Sequence, residues 1–165
     1  MAAATPAVSI LERSGVAHTV HRYRSDPRTG SFGDEAVDTL TESLGVDAAQ
    51  VFKTLVISVS GAGRNGLAVA VIPVPARLSL KAAAAALGMS KAEMAKPDAV
   101  QRSTGYVLGG VSPLGQRTPL PTVVDSSAEQ WPSVLCSGGR RGFEIELSPA
   151  DLVAATAAVV APITG

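Results

Sequence analysis

A chain of 165 residues, 46% of them hydrophobic, is long enough to bury a core and too apolar to stay disordered. Its 14 Lys plus Arg balance 14 Asp plus Glu, giving zero net charge. That excludes a dense basic face for gripping a nucleic-acid backbone, such as DNA, while leaving contact with a single RNA end compatible.

The opening residues Met1 to Pro6 carry neither a basic n-region nor an apolar h-region, so no targeting segment is expected. Thr5 at an N-cap and Pro6 at N1 predict a helix with Ala7, Val8 and Leu11 on one face, ended by Gly15. Residues 17–23 read as a strand. His18 and His21, three apart on it, face opposite sides and cannot share a metal. Asp26-Pro27 opens a loop running to Phe32-Gly33, where Phe32 either lids the core or lines a pocket. A second helix begins at Asp34, with Val37, Leu40 and Leu44 on one face and Gly45 behind them. The apolar run 51–59 predicts a strand buried on both faces, with Lys53 at its start, where a lysine is ordinarily just solvated. Asn65-Gly66 signals a hairpin turn, with a loop from Gly61 expected to be longer than two residues, and 67–74 is the returning strand.

Residues 79–88 predict a helix with Leu80, Ala84 and Leu87 on one face. Ser90-Lys91-Ala92-Glu93 has capping-box form and predicts a short helix that Pro97 stops. Then comes the least regular stretch, Gln101 to Gly115, with four glycines in fifteen residues and neither helical nor alternating periodicity. It reads either as the wall of a pocket with backbone N–H groups turned inward, or as a glycine-rich connection between strands. Residues 122–125 and 134–137 are short strands, and 138–142 turns the chain. In 143–147, alternation turns Phe143, Ile145 and Leu147 to the core and Glu144 the other way, which admits a solvent-facing Glu144. Ser148-Pro149 caps a last helix through about Val160. The run 153–163 is too short to span a membrane. Strands arranged as hairpins with helices inserted imply an α+β (mixed α/β) fold, one domain over 1–165. Its sheet is expected to be mixed and mostly antiparallel. The strands at 55–59, 67–74 and 143–147 are expected to share that sheet, packed by the terminal helices.

The usual nucleophilic machinery is thin. There is no Gly-x-Ser-x-Gly elbow, no phosphate loop and no Cys/His cluster, so neither metal nor cofactor is expected. The one cysteine, Cys136, cannot close an internal disulfide, which suits a reducing, cytoplasmic setting. It follows two apolar residues in a strand and reads as core. What remains is Lys53, the glycine-rich wall and a second turn, Ser137-Gly138-Gly139. That set can bind and polarise a carbonyl or phosphate.

These pieces carry a resemblance. Phe32-Gly33-Asp34-Glu35, Val51-Phe52-Lys53-Thr54-Leu55, Leu67-Ala68-Val69-Ala70-Val71 and Gln101-Arg102-Ser103-Thr104-Gly105-Tyr106 occur in order along the chain. Gly109 to Gln116, Leu120-Pro121-Thr122 and Ser137-Gly138-Gly139 follow them. Together they resemble the YbaK/EbsC family of free-standing aminoacyl-tRNA editing domains, especially its bacterial Cys-tRNA(Pro) deacylases. The resemblance implies the fold of the prolyl-tRNA synthetase editing insertion, a mixed sheet or partly open barrel surrounded by helices. It places the family's essential lysine at Lys53. It puts Tyr23, Phe32, Gly109 and Ser137 around the pocket for the aminoacyl-adenosine end, with Thr54, Arg102 and Ser103 among the substrate-binding residues. Gly110 and Gly138 belong to the same set, as does Glu144, where the family often has the shorter Asp. The implied partners are the acceptor end of tRNA(Pro) carrying cysteine and a prolyl-tRNA synthetase complex. No DNA or membrane partner is implied.

The ammonium of Lys53 and the N–H groups near Gly109 and Gly110 would then stabilise an oxyanion. With no Ser–His or Cys–His pair to attack an ester, the thiol of a misattached cysteine is expected to supply the nucleophile itself. Two other readings stay open: a deacylase for another mischarged tRNA such as Ala-tRNA(Pro), and a non-catalytic module that binds a nucleotide or an RNA end.

Overall fold

The structure, a computed structural model, describes residues 5–24 and 32–165, with side chains from residue 35 onward in the second segment. Of the loop expected from Asp26 to Phe32-Gly33, residues 26–31 and the side chain of Phe32 lie outside the described residues, and Phe32 and Gly33 are the first residues of a helix expected to begin at Asp34.

Helix α1, Pro6–Arg13, starts as its caps dictate: the Thr5 hydroxyl accepts the Val8 N–H at 3.2 Å, and Ala7, Val8 and Leu11 are buried. Strand β1 is Thr19–Arg22 and helix α2 is Phe32–Leu44. Ala36 and Leu40 form the packed face of α2 with Val37 partly buried beside them, whereas Leu44, expected on one face with Val37 and Leu40, is 43% exposed because it ends the helix beyond its contact. Strands β2, Phe52–Gly61, and β3, Arg64–Pro73, make a long hairpin.

The turn of that hairpin is not at Asn65-Gly66. Gly61 pairs with Arg64, leaving a two-residue loop, and both its residues take positive φ, Ala62 at 52° and Gly63 at 74°. This is the requirement of a type I′ turn, whose twist matches the flanking strands. Asn65 and Gly66 lie inside the ladder opposite Ser60 and Val59.

Helix α3, Leu80–Ala86, is capped by the Ser79 hydroxyl accepting from Ala82. The capping-box helix expected after it is instead strand β4, Lys91–Met94, antiparallel to β2. The Ser90 N–H bonds the Ser60 carbonyl at 2.9 Å, so pairing along the open edge of β2 overrides the local cap signal. Pro97 opens a helix rather than stopping one. Helix α4, Pro97–Thr104, has Pro at its first turn and Gly105 as its left-handed cap, so it absorbs Gln101 to Thr104.

Strands β5, Thr122–Asp125, and β6, Val134–Ser137, fall where short strands are expected, and β7, Phe143–Leu147, falls where alternation puts it. Helix α5, Pro149–Thr156, is shorter than expected: Ala157 turns left-handed and Val159–Ala161 becomes an edge strand, β8.

The strands form two sheets, which corrects the expectation of one. The order β1-β7-β6 is antiparallel; the order β4-β2-β3-β5-β8 is mixed, with β3, β5 and β8 parallel. Strand β7 cannot join β2 and β3 because both its edges are taken by β1 and β6. Among the described residues a single bridge, Val51 to Leu135, links the sheets, and no closed barrel forms.

One face of the mixed sheet (Val56, Val69, Val71, Val124) packs on α1 and on Cys136, Ile145 and Leu147 of the smaller sheet. Its other face (Ile57, Ala70, Ile72) is covered by α3. A third cluster, Ala36, Leu40, Val51, Val74 and Leu135, seats α2 on the outer face of the smaller sheet. This last contact closes the space where Glu144 lies.

Candidate active site

A cavity of about 400 Å³ opens between the start of β2, the end of β1, α2, the glycine-rich stretch and the smaller sheet. Lys53 and Thr54 enter from β2, Tyr23 from the end of β1, Gly109 from the wall, and Ser137 and Glu144 from β6 and β7. Six residues singled out in the sequence therefore meet at one cavity. The register explains two of them: Ser137 and Glu144 are directly opposed, so their side chains share a face.

The other predicted positions sit elsewhere. Arg102 lies exposed on α4, 3.7 Å from Asp98, and the Ser103 carbonyl accepts the Thr118 N–H at 3.1 Å. Gly138 donates its N–H to the Phe143 carbonyl and accepts the Thr5 hydroxyl, so its backbone is spent on the fold. The Gly110 N–H goes to the Val107 carbonyl at 3.0 Å, which removes it as an oxyanion donor. The N–H of Gly109 has no partner among the described residues.

The glycines of the wall are there mostly for packing. A Cβ on Gly110 would stand 2.6 Å from the Arg140 Cα, and one on Gly115 would stand 2.5 Å from the carbonyl of Pro6. Gly105 caps α4, and only Gly109 lines the cavity. Tyr106, buried, ties the stretch together through its hydroxyl to the Leu114 carbonyl at 2.6 Å. Sequence reasoning missed the apolar lining (Ala36, Leu55, Val74, Leu108, Val111), whose residues carry no mark distinguishing them from core.

Glu144 does point away from Phe143, but toward the cavity and not to solvent: it is 7% exposed. Burial pushes its carboxyl from 4.5 up to about 8, and its Oε2 is buried without a hydrogen-bond partner. The Thr54 Oγ1 is likewise buried and unpartnered. Tyr23 is pushed up to about 12, first by burial and then by the negative charges of Glu144 and Glu35. Lys53 is half-buried and forms no ion pair among the described residues. A lysine, an open N–H and unsatisfied polar atoms in a largely apolar cavity suit a small ligand with a polarisable oxygen. His21 takes no part, being bonded to Glu146 at 2.8 Å.

The Glu144 shift has a measurable consequence. In the folded protein this carboxyl keeps its proton at pH values where the unfolded chain has lost it. Stability is therefore undiminished below about 4.5 and falls as pH rises toward about 8. Glu144→Gln should remove that slope. Compared with the parent, its thermal unfolding midpoint should rise more above about pH 8 than near pH 4.5. Parallel pH profiles for the two proteins would contradict it.

Cys136 lies on the opposite face of β6, fully buried, with its thiol held far above the usual range by burial. It is neither ionised nor accessible, so Cys136→Ala should lower stability and leave any activity of the cavity in place. A folded Cys136→Ala protein that has lost activity would show the opposite.

A second cavity of about 480 Å³ lies under Trp131 and the start of α5, lined mostly by Val124, Ala128, Pro149, Val153 and Val160. It is larger but has no lysine, and its Ser148 hydroxyl already caps α5. The first cavity is the one with chemistry.

Comparison with known proteins shows the family and the fold. The aminoacyl-tRNA editing domain family matches residues 34–155. The chain is 37% identical over 129 residues to EbsC of Enterococcus faecalis, named provisionally as a Cys-tRNA(Pro)/Cys-tRNA(Cys) deacylase, covering 78% of this chain and 77% of that one. It is 30% identical over 116 residues to YwhH of Bacillus subtilis, covering 70% and 71%. A crystal structure described provisionally as a trans-editing enzyme for prolyl-tRNA synthetase superposes with a TM-score of 0.81 at 28% identity, covering 97% and 95%.

Proposed function

The chain belongs to the family of aminoacyl-tRNA editing domains, and on that premise we propose that it deacylates Cys-tRNA(Pro), using the substrate's own thiol as nucleophile. The observation that carries the reading is the cavity's content. It holds a lysine and an open N–H to polarise a carbonyl, yet among the described residues none of its hydroxyls is hydrogen-bonded to a base: Ser137 Oγ accepts the Gly139 N–H, and Glu144 Oε2 and Thr54 Oγ1 have no partner.

In this reaction the cysteine sulfur attacks its own ester carbonyl. The carbon–oxygen bond to the ribose breaks, the thiol proton goes to the departing ribose oxygen, and a four-membered thiolactone leaves. Water then opens it to free cysteine. The Lys53 ammonium and the Gly109 N–H stabilise the oxyanion. Holding the near-attack geometry can be worth ~7–11 kcal/mol of barrier. A serine hydroxyl is a poorer nucleophile near neutral pH because thiols partly ionise there.

The RNA end would enter past the glycine-rich wall. Two exposed arginines, Arg22 and Arg140, are stacked on the Phe143 ring at 4.9 and 4.3 Å, and the Arg140 backbone abuts Gly110. They offer cations to phosphate without a broad basic face. Wider tRNA affinity would come from a prolyl-tRNA synthetase partner in the cytoplasm.

Deacylation time courses with cysteinyl-, seryl- and prolyl-tRNA(Pro) test the proposal. Cysteinyl ester should be cleaved well, seryl poorly and prolyl hardly at all. Rapid loss of the prolyl ester, or no cleavage of the cysteinyl ester, would refute it.

A further inference from the structure

The cavity contains a carboxyl, that of Glu144, which no cation pairs with among the described residues. Glu144 is nine-tenths buried, and its Oε2 has no hydrogen-bond partner. Lys53 lines the same cavity but forms no ion pair with it, and among the described residues no cation offsets the effect of burial on the carboxyl. The nearby Arg141 guanidinium is engaged with Glu35 at 3.4 Å. Thr54 presents a second buried oxygen, Oγ1, also unpartnered, to the same cavity. Buried polar atoms without partners are rare, and leaving them unmade costs free energy, so two in one cavity mark the positions of ligand groups.

A ligand group that carries positive charge suits this carboxyl best, because a cation beside it draws off the proton that burial holds and offsets the ionisation. It must also bring several donors, to satisfy a carboxylate and a hydroxyl together. An ammonium has three donors; a thiol is a weak donor, and a ribose hydroxyl has one and no charge. We propose that Glu144 and Thr54 bind the α-ammonium group of the aminoacyl ester, which restricts the substrate class to esters with a free amino group. This inference rests on the deacylase reading above.

The decisive comparison is between Cys-tRNA(Pro) and N-acetyl-Cys-tRNA(Pro), using the unaltered protein, Glu144→Gln and Thr54→Val. With the unaltered protein, acetylation should lower kcat/KM roughly tenfold or more, the scale of a lost charge-assisted hydrogen bond. Glu144→Gln should lower kcat/KM for the free-amine ester by a similar factor, chiefly through KM, and change the acetylated ester little. Glu144→Asp should restore part of the discrimination, and Thr54→Val should lose a smaller part. Should Glu144→Gln fail to fold, as thermal unfolding would reveal, the two esters on the unaltered protein still decide. Equal cleavage of both esters overturns the inference and leaves the deacylase reading standing. An equal loss on both esters in folded Glu144→Gln also overturns it. Absence of cleavage of the free-amine ester overturns the deacylase reading and the inference with it.

Discussion

Lys53→Ala is expected to slow cleavage of the aminoacyl ester ~100-fold or more, about 2.7 kcal/mol of barrier, without unfolding the protein. Lys53 is the one lysine on the cavity, and it lies at the start of β2, backbone-paired opposite Ile72. That ladder survives truncation of the side chain. The ammonium has no carboxylate partner among the described residues, so its removal leaves no buried charge behind. The cost should therefore fall on the reaction. Single-turnover rates, with denaturant midpoints as the control for folding, check it. Near-normal cleavage by a folded Lys53→Ala protein would return this lysine to the role of a solvated strand end.

The largest stability loss is expected at Gly115→Ala, at ~3 kcal/mol. Gly115 has φ of 63°, where an added Cβ costs ~1 kcal/mol. That Cβ would also stand 2.5 Å from the Pro6 carbonyl, and forcing atoms into a packed site costs typically ~1–3 kcal/mol. Neither neighbour yields cheaply, because Pro6 begins α1, whose Ala7 and Leu11 are fully buried. Gly63→Ala separates the two effects: φ is 74° there, but nothing lies within 4 Å, so it should lose only the conformational part. Denaturant midpoints of the two variants give the difference. Equal losses would show that α1 shifts freely and that the wall is not anchored through Gly115.

Local chemistry made much of this legible from sequence. Thr5-Pro6 and Ser148-Pro149 gave their helix starts directly, since a cap hydroxyl and a proline at N1 act within one turn. The alternation at 143–147 placed Ile145 and Leu147 in the core. The misreadings arose where distant pairing decides. Ser90 to Glu93 carries a valid cap signal, yet the open edge of β2 is four sequence-distant residues that outweigh it. Alternation also gave the direction of Glu144 but not what covers that face, because α2 comes from a hundred residues earlier and has no sequence link to β7. The glycines of the wall were visible as a cluster. Which of them touches the cavity depends on Arg140 and Pro6, neither of which is near them in the chain.

Single-turnover deacylation of cysteinyl- and alanyl-tRNA(Pro), side by side, tests the central claim most directly. The two side chains differ by one sulfur atom, and alanine has no nucleophile to offer. If the substrate's thiol does the attacking, the cysteinyl ester is cleaved rapidly and the alanyl ester stays near its uncatalysed rate. Equal rates for the two would contradict the account and assign the attack to water held by the protein.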